Sequence, residues 1–191
     1  MATPLSLPGA KATLILSLAM TVLGVAGVAS GYGELAGPAV ALEAPAGASE
    51  AARAAADTVR ETLTGHPLVR GLGAANLVVS ALLVLASFTL TLRRPTALWW
   101  CQQAIVANAL FAIGKPIVRV MTLLPLASEL VAIQDDPSLT AFPAEMVTSA
   151  MQGGLTGWFV LEALILLAVY FILFRLARRD TVRAFVSREP G

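Results

Sequence analysis

The sequence is poor in the residues that build catalytic and metal centres. It has one cysteine, Cys101, and one histidine, His66, so an intrachain disulfide is impossible and no Cys/His spacing for a metal is present. His66 precedes Pro67, a pattern typical of a surface turn. No nucleophile stands near a base, so we expect neither an enzyme nor a cofactor-binding protein.

Charge is also scarce, and apolar residues take its place. Only 13% of residues are charged and the net charge is +1, which excludes the basic surface that nucleic-acid binding requires. Hydrophobic residues make up 57% of the chain and its mean hydropathy is +0.78. A soluble core could not bury that much apolar surface, so the composition indicates a protein whose partner is the lipid bilayer.

Four apolar stretches are long enough to cross a hydrocarbon core about 30 Å thick. They cover about 11–32, 70–92, 97–124 and 153–174. Trp99 and Trp100 begin the third stretch and Tyr170 lies near the end of the fourth, and such aromatic rings favour the headgroup level. We therefore predict an all-α fold: a polytopic membrane protein with a bundle of four transmembrane helices, forming a single membrane domain over residues 1–191.

The first stretch has an alternative interpretation as a signal peptide. Lys11 precedes an apolar run that ends in the small residues Val28, Ala29 and Ser30. The run is longer than the roughly 7–15 residues of a signal h-region, and its removal would leave three spans that fit the charges less well. A membrane span is the favoured interpretation.

The distribution of Lys and Arg predicts the orientation. Eight of the 13 basic residues lie in the N-terminal arm, the short loop at Arg93 and Arg94, and the tail 175–191. The loop 33–69 together with Arg70 just after it has three, and the loop 125–152 has none. Basic residues are retained on the cytoplasmic side, so we expect both termini in the cytoplasm and two outer loops. Together with the Ala-rich composition, this charge bias favours a bacterial inner membrane.

Short helices are expected in both outer loops. Ser49 is a good N-cap for the segment that follows it, and residues 64–67 would end that helix. In the second loop, Asp135–Ser138 favours a turn, and Pro143 with Glu145 suits the first turn of a helix that leads into the fourth span. The loop's four acids could attract a cation, but they lack the spacing of a calcium loop, and a solvated surface is the favoured interpretation.

Helical periodicity separates the faces of the spans. Along the third span, one face is apolar and would meet lipid, and the opposite face is small and polar: Cys101, Ala104, Asn108, Ala112, Lys115, Arg119 and Thr122. The second span has a similar polar face that includes Asn76. The first span carries Gly24, Gly27 and Gly31 on one side, where they would allow close helix packing.

Two cations and one acid inside the spans form a candidate intramembrane polar site with Asn76 and Asn108. Lys115 lies roughly 24 Å along its helix from Trp99, and Glu162 lies roughly 13 Å from the start of the fourth span, so the two can meet. An ionised carboxylate in the bilayer needs a partner. Arg119 is expected to anchor at the interface, and Pro116 could kink the helix beside Lys115.

Two sides of the fourth span are suited to packing against other helices. Glu162 shares a face with Trp158 and Leu166, whereas Gly153 and Gly157 lie nearly opposite. We therefore expect a homo-oligomer or an assembly with other membrane subunits. Two function classes remain: a non-enzymatic structural or accessory subunit, which is favoured, and a small transporter or channel component that uses Lys115 and Glu162.

Overall fold

The chain folds as an all-α membrane protein. The computed structural model describes residues 9–36, 47–94, 96–134 and 142–187, and within these ranges it contains helices and no strand. The helices are α1 (Ala10–Ala36), α2 (Glu50–Gly65), α3 (Pro67–Thr91), α4 (Ala97–Leu123), α5 (Ala127–Gln134), α6 (Ala144–Ala177) and α7 (Asp180–Val186), with a 3-10 turn at Leu124–Leu126.

Four helical stretches are long and apolar enough to cross a membrane. These are α1, α3, α6 and the stretch Ala97–Gln134, which joins α4 to α5. The expected bundle of four transmembrane helices is thus confirmed, and α2 is the short helix expected after Ser49. α5 lies before the position at which the sequence predicted a helix in the second long loop.

The long helices extend beyond the apolar runs that predicted them. Instead of 11–32, 70–92 and 153–174, they cover Ala10–Ala36, Pro67–Thr91 and Ala144–Ala177. Backbone hydrogen bonding continues through helix-compatible residues at the ends of each run. Pro143 stands just before α6 and its carbonyl accepts from Met146 and Val147, so the helix expected there is the first part of α6 itself. The turn predicted at 135–138, and Arg188 of the tail, lie outside the described residues.

The contacts divide the chain into two compact units. The first contains the described parts of residues 1–30, 75–113 and 164–191, and the second contains those of 31–74 and 114–163. Each of the four long helices contributes residues to both units.

In the first unit, small and hydroxyl-bearing residues bring α1 against α3. A Cβ at Gly24 would lie 2.6 Å from Val84 Cγ2, and one at Gly27 would collide with the Ser80 side chain. The hydroxyls of Thr21 and Ser87 hydrogen-bond at 2.8 Å. Close backbone approach and interhelical hydrogen bonds are the usual means by which helices associate in lipid.

The C-terminal helix α7 also belongs to the first unit, and the sequence did not predict it. Val182, Phe185 and Val186 are buried on one side of it, and the Arg93 guanidinium lies 4.2 Å from the centroid of the Phe185 ring. Gly9 has a φ of +90° and no room for a side chain, because a Cβ there would collide with the Thr181 carbonyl. α7 therefore packs against the start of α1 and the α3–α4 connection.

In the second unit, α2 packs on α5. The Ser49 hydroxyl caps α2 by accepting from the Ala52 amide at 3.2 Å, as its sequence predicts. The shared core consists of Val59, Leu63 and Leu126, with Val69, Leu123, Leu130 and Ile133 around it. The apolar face of α2 is thus covered at this core by residues of the same chain.

Candidate functional site: a charge cluster on three helices

Four charged side chains of the second unit form one connected cluster. Lys115 Nζ donates to Glu162 Oε1 at 2.9 Å. Arg119 Nη1 donates to Glu162 Oε2 at 3.2 Å, and Arg119 Nη2 donates to Glu34 Oε1 at 2.7 Å. The cluster therefore connects α1, α4 and α6 through two acids and two bases with no net charge.

Helical spacing explains why one helix supplies both cations. Lys115 and Arg119 are four residues apart on α4, so they lie one above the other on the same face. This face is the small, polar one that the sequence predicts: Cys101, Ala104, Asn108, Ala112 and Thr122 are buried on it. Opposite them, Leu110, Ile113 and Ile117 are exposed, as expected for a surface in lipid.

The cluster is largely withdrawn from solvent. The side chains of Lys115 and Glu34 are 12% and 15% exposed, and those of Arg119 and Glu162 are 25% and 29% exposed. The Arg119 guanidinium also lies 5.6 Å from the centroid of the buried Phe159 ring on α6. Low polarity strengthens these pairs, and it raises the cost of breaking any one of them.

Close packing of α1 against α3 fixes the position of Glu34. Within the second unit, a Cβ added to Gly73 would lie 3.0 Å from both Glu34 Cβ and the Gly31 carbonyl oxygen. Gly73 thus lets its backbone approach that of Gly31, where a larger residue would separate the two helices. The glycine face of α1 predicted for packing leads directly to the acid that Arg119 binds.

One carboxylate oxygen in the cluster is left over. Glu34 Oε2 is buried and has no hydrogen-bond partner among the described residues. The other carboxylate, Glu162, uses both oxygens. The two acids are therefore chemically different, because only Glu34 keeps an acceptor free for a further donor.

Asn76 and Asn108, which the sequence groups with the charged residues, belong to the first unit and find partners there. Asn108 Nδ2 donates to the Val79 carbonyl at 2.7 Å and to the Ala104 carbonyl at 2.9 Å. Asn76 Oδ1 accepts from the Ser80 hydroxyl at 3.2 Å. Both amides are buried, and Asn108 joins α4 to α3.

Sequence reasoning missed Glu34. Arg119, expected to anchor at the interface, binds two carboxylates of the same chain with its guanidinium, and its depth in the bilayer stays a prediction. Trp158, on the face of α6 that the sequence assigns to Glu162, is 64% exposed, whereas the adjacent Phe159 is buried. A signal for Glu34 was present: it follows Gly27 and Gly31 by seven and three residues, which places all three on one helical face.

The glycines of α6 differ from those of α1. Apart from the neighbouring residues and backbone of α6 itself, no described atom lies within 4 Å of a Cβ added at Gly153, Gly154 or Gly157. Gly153 and Gly157 therefore pack against no helix described here, and their role in helix association remains a prediction about another chain.

Nothing in the described ranges suggests a metal site. No group of three or more His, Cys, Asp or Glu residues comes together there. The basic members of the cluster bind three of its four carboxylate oxygens, and these contacts are ion pairs and hydrogen bonds.

Comparisons with protein-family models, with curated proteins and with solved structures found no match.

Proposed function

We propose that this protein is a non-enzymatic membrane protein, a structural or accessory subunit that acts through helix association in the bilayer. The observation that carries this proposal is the closed charge balance of the cluster. Each cation has a carboxylate partner, and Arg119 of α4 bonds to carboxylates on both α1 and α6. Buried polar contacts of this kind specify which helices meet and in which register.

The exposed glycine face of α6 supports a partner in the membrane. Gly153, Gly154 and Gly157 leave room for the close approach of another backbone, and the neighbouring Trp158 and Leu161 are exposed. We propose a homo-oligomer or another membrane subunit as the occupant. The proposed location is a bacterial inner membrane with both termini in the cytoplasm, as the bias of basic residues indicates.

A small transporter or channel component is the second candidate. The free Glu34 Oε2 favours it, because a buried carboxylate oxygen beside an ion pair can take a proton. The ion pairs around Glu162 oppose it, because a carboxylate held by two cations exchanges its partners slowly.

Native mass spectrometry of the protein, gently solubilised from its own host, tests the first candidate. A stoichiometric partner, or a defined homo-oligomer, is the expected result. A monomer without partners would contradict the proposal of an accessory subunit.

A flux assay separates the two candidates. Proteoliposomes with the wild-type chain, Glu162→Gln and the exposed control Glu61→Gln would be loaded with a pH-sensitive dye and subjected to a proton or potassium gradient. We expect all three to match protein-free liposomes. A flux that Glu162→Gln abolishes and Glu61→Gln leaves intact, with normal assembly, would establish the transporter instead.

Thiol labelling in intact cells tests the proposed orientation. In a Cys101→Ala background, Thr62→Cys on α2 should react with a membrane-impermeant reagent, and Ser187→Cys after α7 should react only after lysis. The reverse pattern would place the termini outside.

A further inference from the structure

We infer that the first unit binds one anionic phospholipid in a groove between α4 and α6. The groove has a volume of about 380 Å³ and an apolar lining. Ile105, Val106 and Ala109 of α4 form one wall, and Leu167, Phe171 and Phe174 of α6 form the other. The groove is open to the surface, because Val106 is 41% exposed and Phe171 is 64% exposed.

The groove is apolar along its length and basic at one end, as a binding site for a phospholipid should be. On α6, Leu167, Phe171, Phe174 and Arg178 recur every three or four residues, so they follow one another along a single face. This face is apolar for roughly 10 Å from Leu167 to Phe174 and becomes basic about one turn later. An acyl chain suits the apolar part, and a phosphate suits the basic end.

Two arginines stand at the basic end without acidic partners. The Arg175 guanidinium lies 6.0 Å from the centroid of the Phe171 ring, and that of Arg178 lies 5.7 Å from the centroid of Phe174. Both rings line the groove. In the described part of the chain neither arginine forms an ion pair with a carboxylate, so their donors are free for a headgroup phosphate.

The two arginines lie at the end of the spanning helix α6, where lipid headgroups are expected. Arg175 and Arg178 lie at the end of α6, after its long apolar stretch, and Trp99 and Trp100 lie at the start of α4. Trp at a helix end marks the interfacial level of the bilayer, and basic residues between transmembrane helices attract anionic headgroups. This site goes beyond the proposed function, because it requires neither a subunit partner nor transport.

Lipid retention in native mass spectrometry tests the inference. The full chain would be purified in micelles that contain equal amounts of phosphatidylglycerol and phosphatidylcholine with identical acyl chains. We expect the wild type to retain one phosphatidylglycerol in preference to phosphatidylcholine. Each arginine beside a headgroup contributes a factor of about five, so Arg175→Gln/Arg178→Gln should lower that preference at least about fivefold.

A matched variant controls for charge. Arg179→Gln/Arg183→Gln also removes two positive charges, but from exposed positions, one just before α7 and one within it. This variant should retain most of the preference for phosphatidylglycerol. Ala109→Phe fills the groove and should reduce retention of both lipids. Elution volume and helical circular dichroism establish that each variant is folded.

Three results would overturn the inference. They are equal retention of the two lipids by the wild type, an equal loss in both double-arginine variants, and unchanged retention by Ala109→Phe. A dimer that forms without bound lipid and is disrupted by Ala109→Phe would assign the groove to a second copy of the chain, which also contradicts a lipid site.

Discussion

Arg119 and Lys115 both bind Glu162, but removing them should have unequal costs. With Lys115→Met, Glu162 keeps its bond to Arg119. The loss is then one charged hydrogen bond, about 1.5 kcal/mol of unfolding free energy. With Arg119→Met, Glu34 loses the partner of its Oε1 atom, and its Oε2 atom has none among the described residues. An uncompensated buried charge costs about 3–5 kcal/mol.

The measurement is the free energy of unfolding in mixed micelles, from the loss of helical circular dichroism as SDS is added. We expect Arg119→Met to be destabilised by at least about 2 kcal/mol more than Lys115→Met. Arg53→Met, which removes an exposed arginine of α2 with no carboxylate partner within the described ranges, is the control and should change stability by less than about 1 kcal/mol.

A double-mutant cycle isolates the contact between Arg119 and Glu34. Glu34→Gln removes the charge that Arg119→Met would leave unpaired, so the double variant should be less destabilised than the sum of the single variants by about 2 kcal/mol. Equal costs for Arg119→Met and Lys115→Met, together with an additive cycle, would refute the view that Arg119 is the centre of the cluster.

Three further predictions concern helix packing and capping, two in the second unit and one in the first. Gly73→Ala should destabilise the protein by about 1–3 kcal/mol in the same SDS titration, because its Cβ would press on Glu34 and the Gly31 carbonyl. Gly71→Ala is the control: its Cβ would meet no other described part of the chain within 4 Å, so the variant should be neutral or slightly stabilising. Ser49→Ala should cost about 1 kcal/mol through loss of the α2 cap, and the exposed Thr58→Ala should cost less; equal effects of the two would contradict the capping role. Cys101 is fully buried, with Sγ 3.6 Å from the Ala86 carbonyl oxygen, so it should resist a maleimide in the folded protein. Ser128→Cys in a Cys101→Ala background is the control and should react. Rapid labelling of Cys101 would contradict its burial and show that α3 and α4 separate there.

The third span shows how far periodicity can take a prediction. It has one polar and one apolar side, so a rotation of 100° per residue was enough to identify the buried face of α4 and the cations on it. The depth of Lys115 and Glu162 then predicted that they could meet, and they form a bond of 2.9 Å.

The fourth span shows where periodicity fails. Residues 158–174 are apolar on nearly every side, so the pattern could not show that Phe159 is buried and Trp158 is not. α7 was missed for a different reason. With seven residues, it is too short to give a periodic signal, and burial against the rest of the first unit stabilises it.

Glu34 was missed because the end of a span was equated with the end of its apolar run. Residues 33–36 continue α1 as helix, which extends the glycine face by one turn and places a carboxylate near Arg119. A membrane helix ends where its backbone hydrogen bonds end, and polar residues in that last turn are those nearest to partners on other helices. A rotation of 100° per residue, continued past the apolar run to the end of the helix, would have placed Glu34 on the glycine face of α1.

The chemistry of the guanidinium group explains why the cluster is centred on Arg119. Its planar fork presents donors in two directions, and here Nη1 serves α6 while Nη2 serves α1. An ammonium group is a compact charge on a flexible stem, which suits the single bond of Lys115 to Glu162. Because both arms of Arg119 are occupied, a rotation or axial shift of α1 or α6 relative to α4 would break a bond to a buried carboxylate. The cluster therefore fixes the register of these three helices within the second unit, and this observation is the basis of the structural role proposed above.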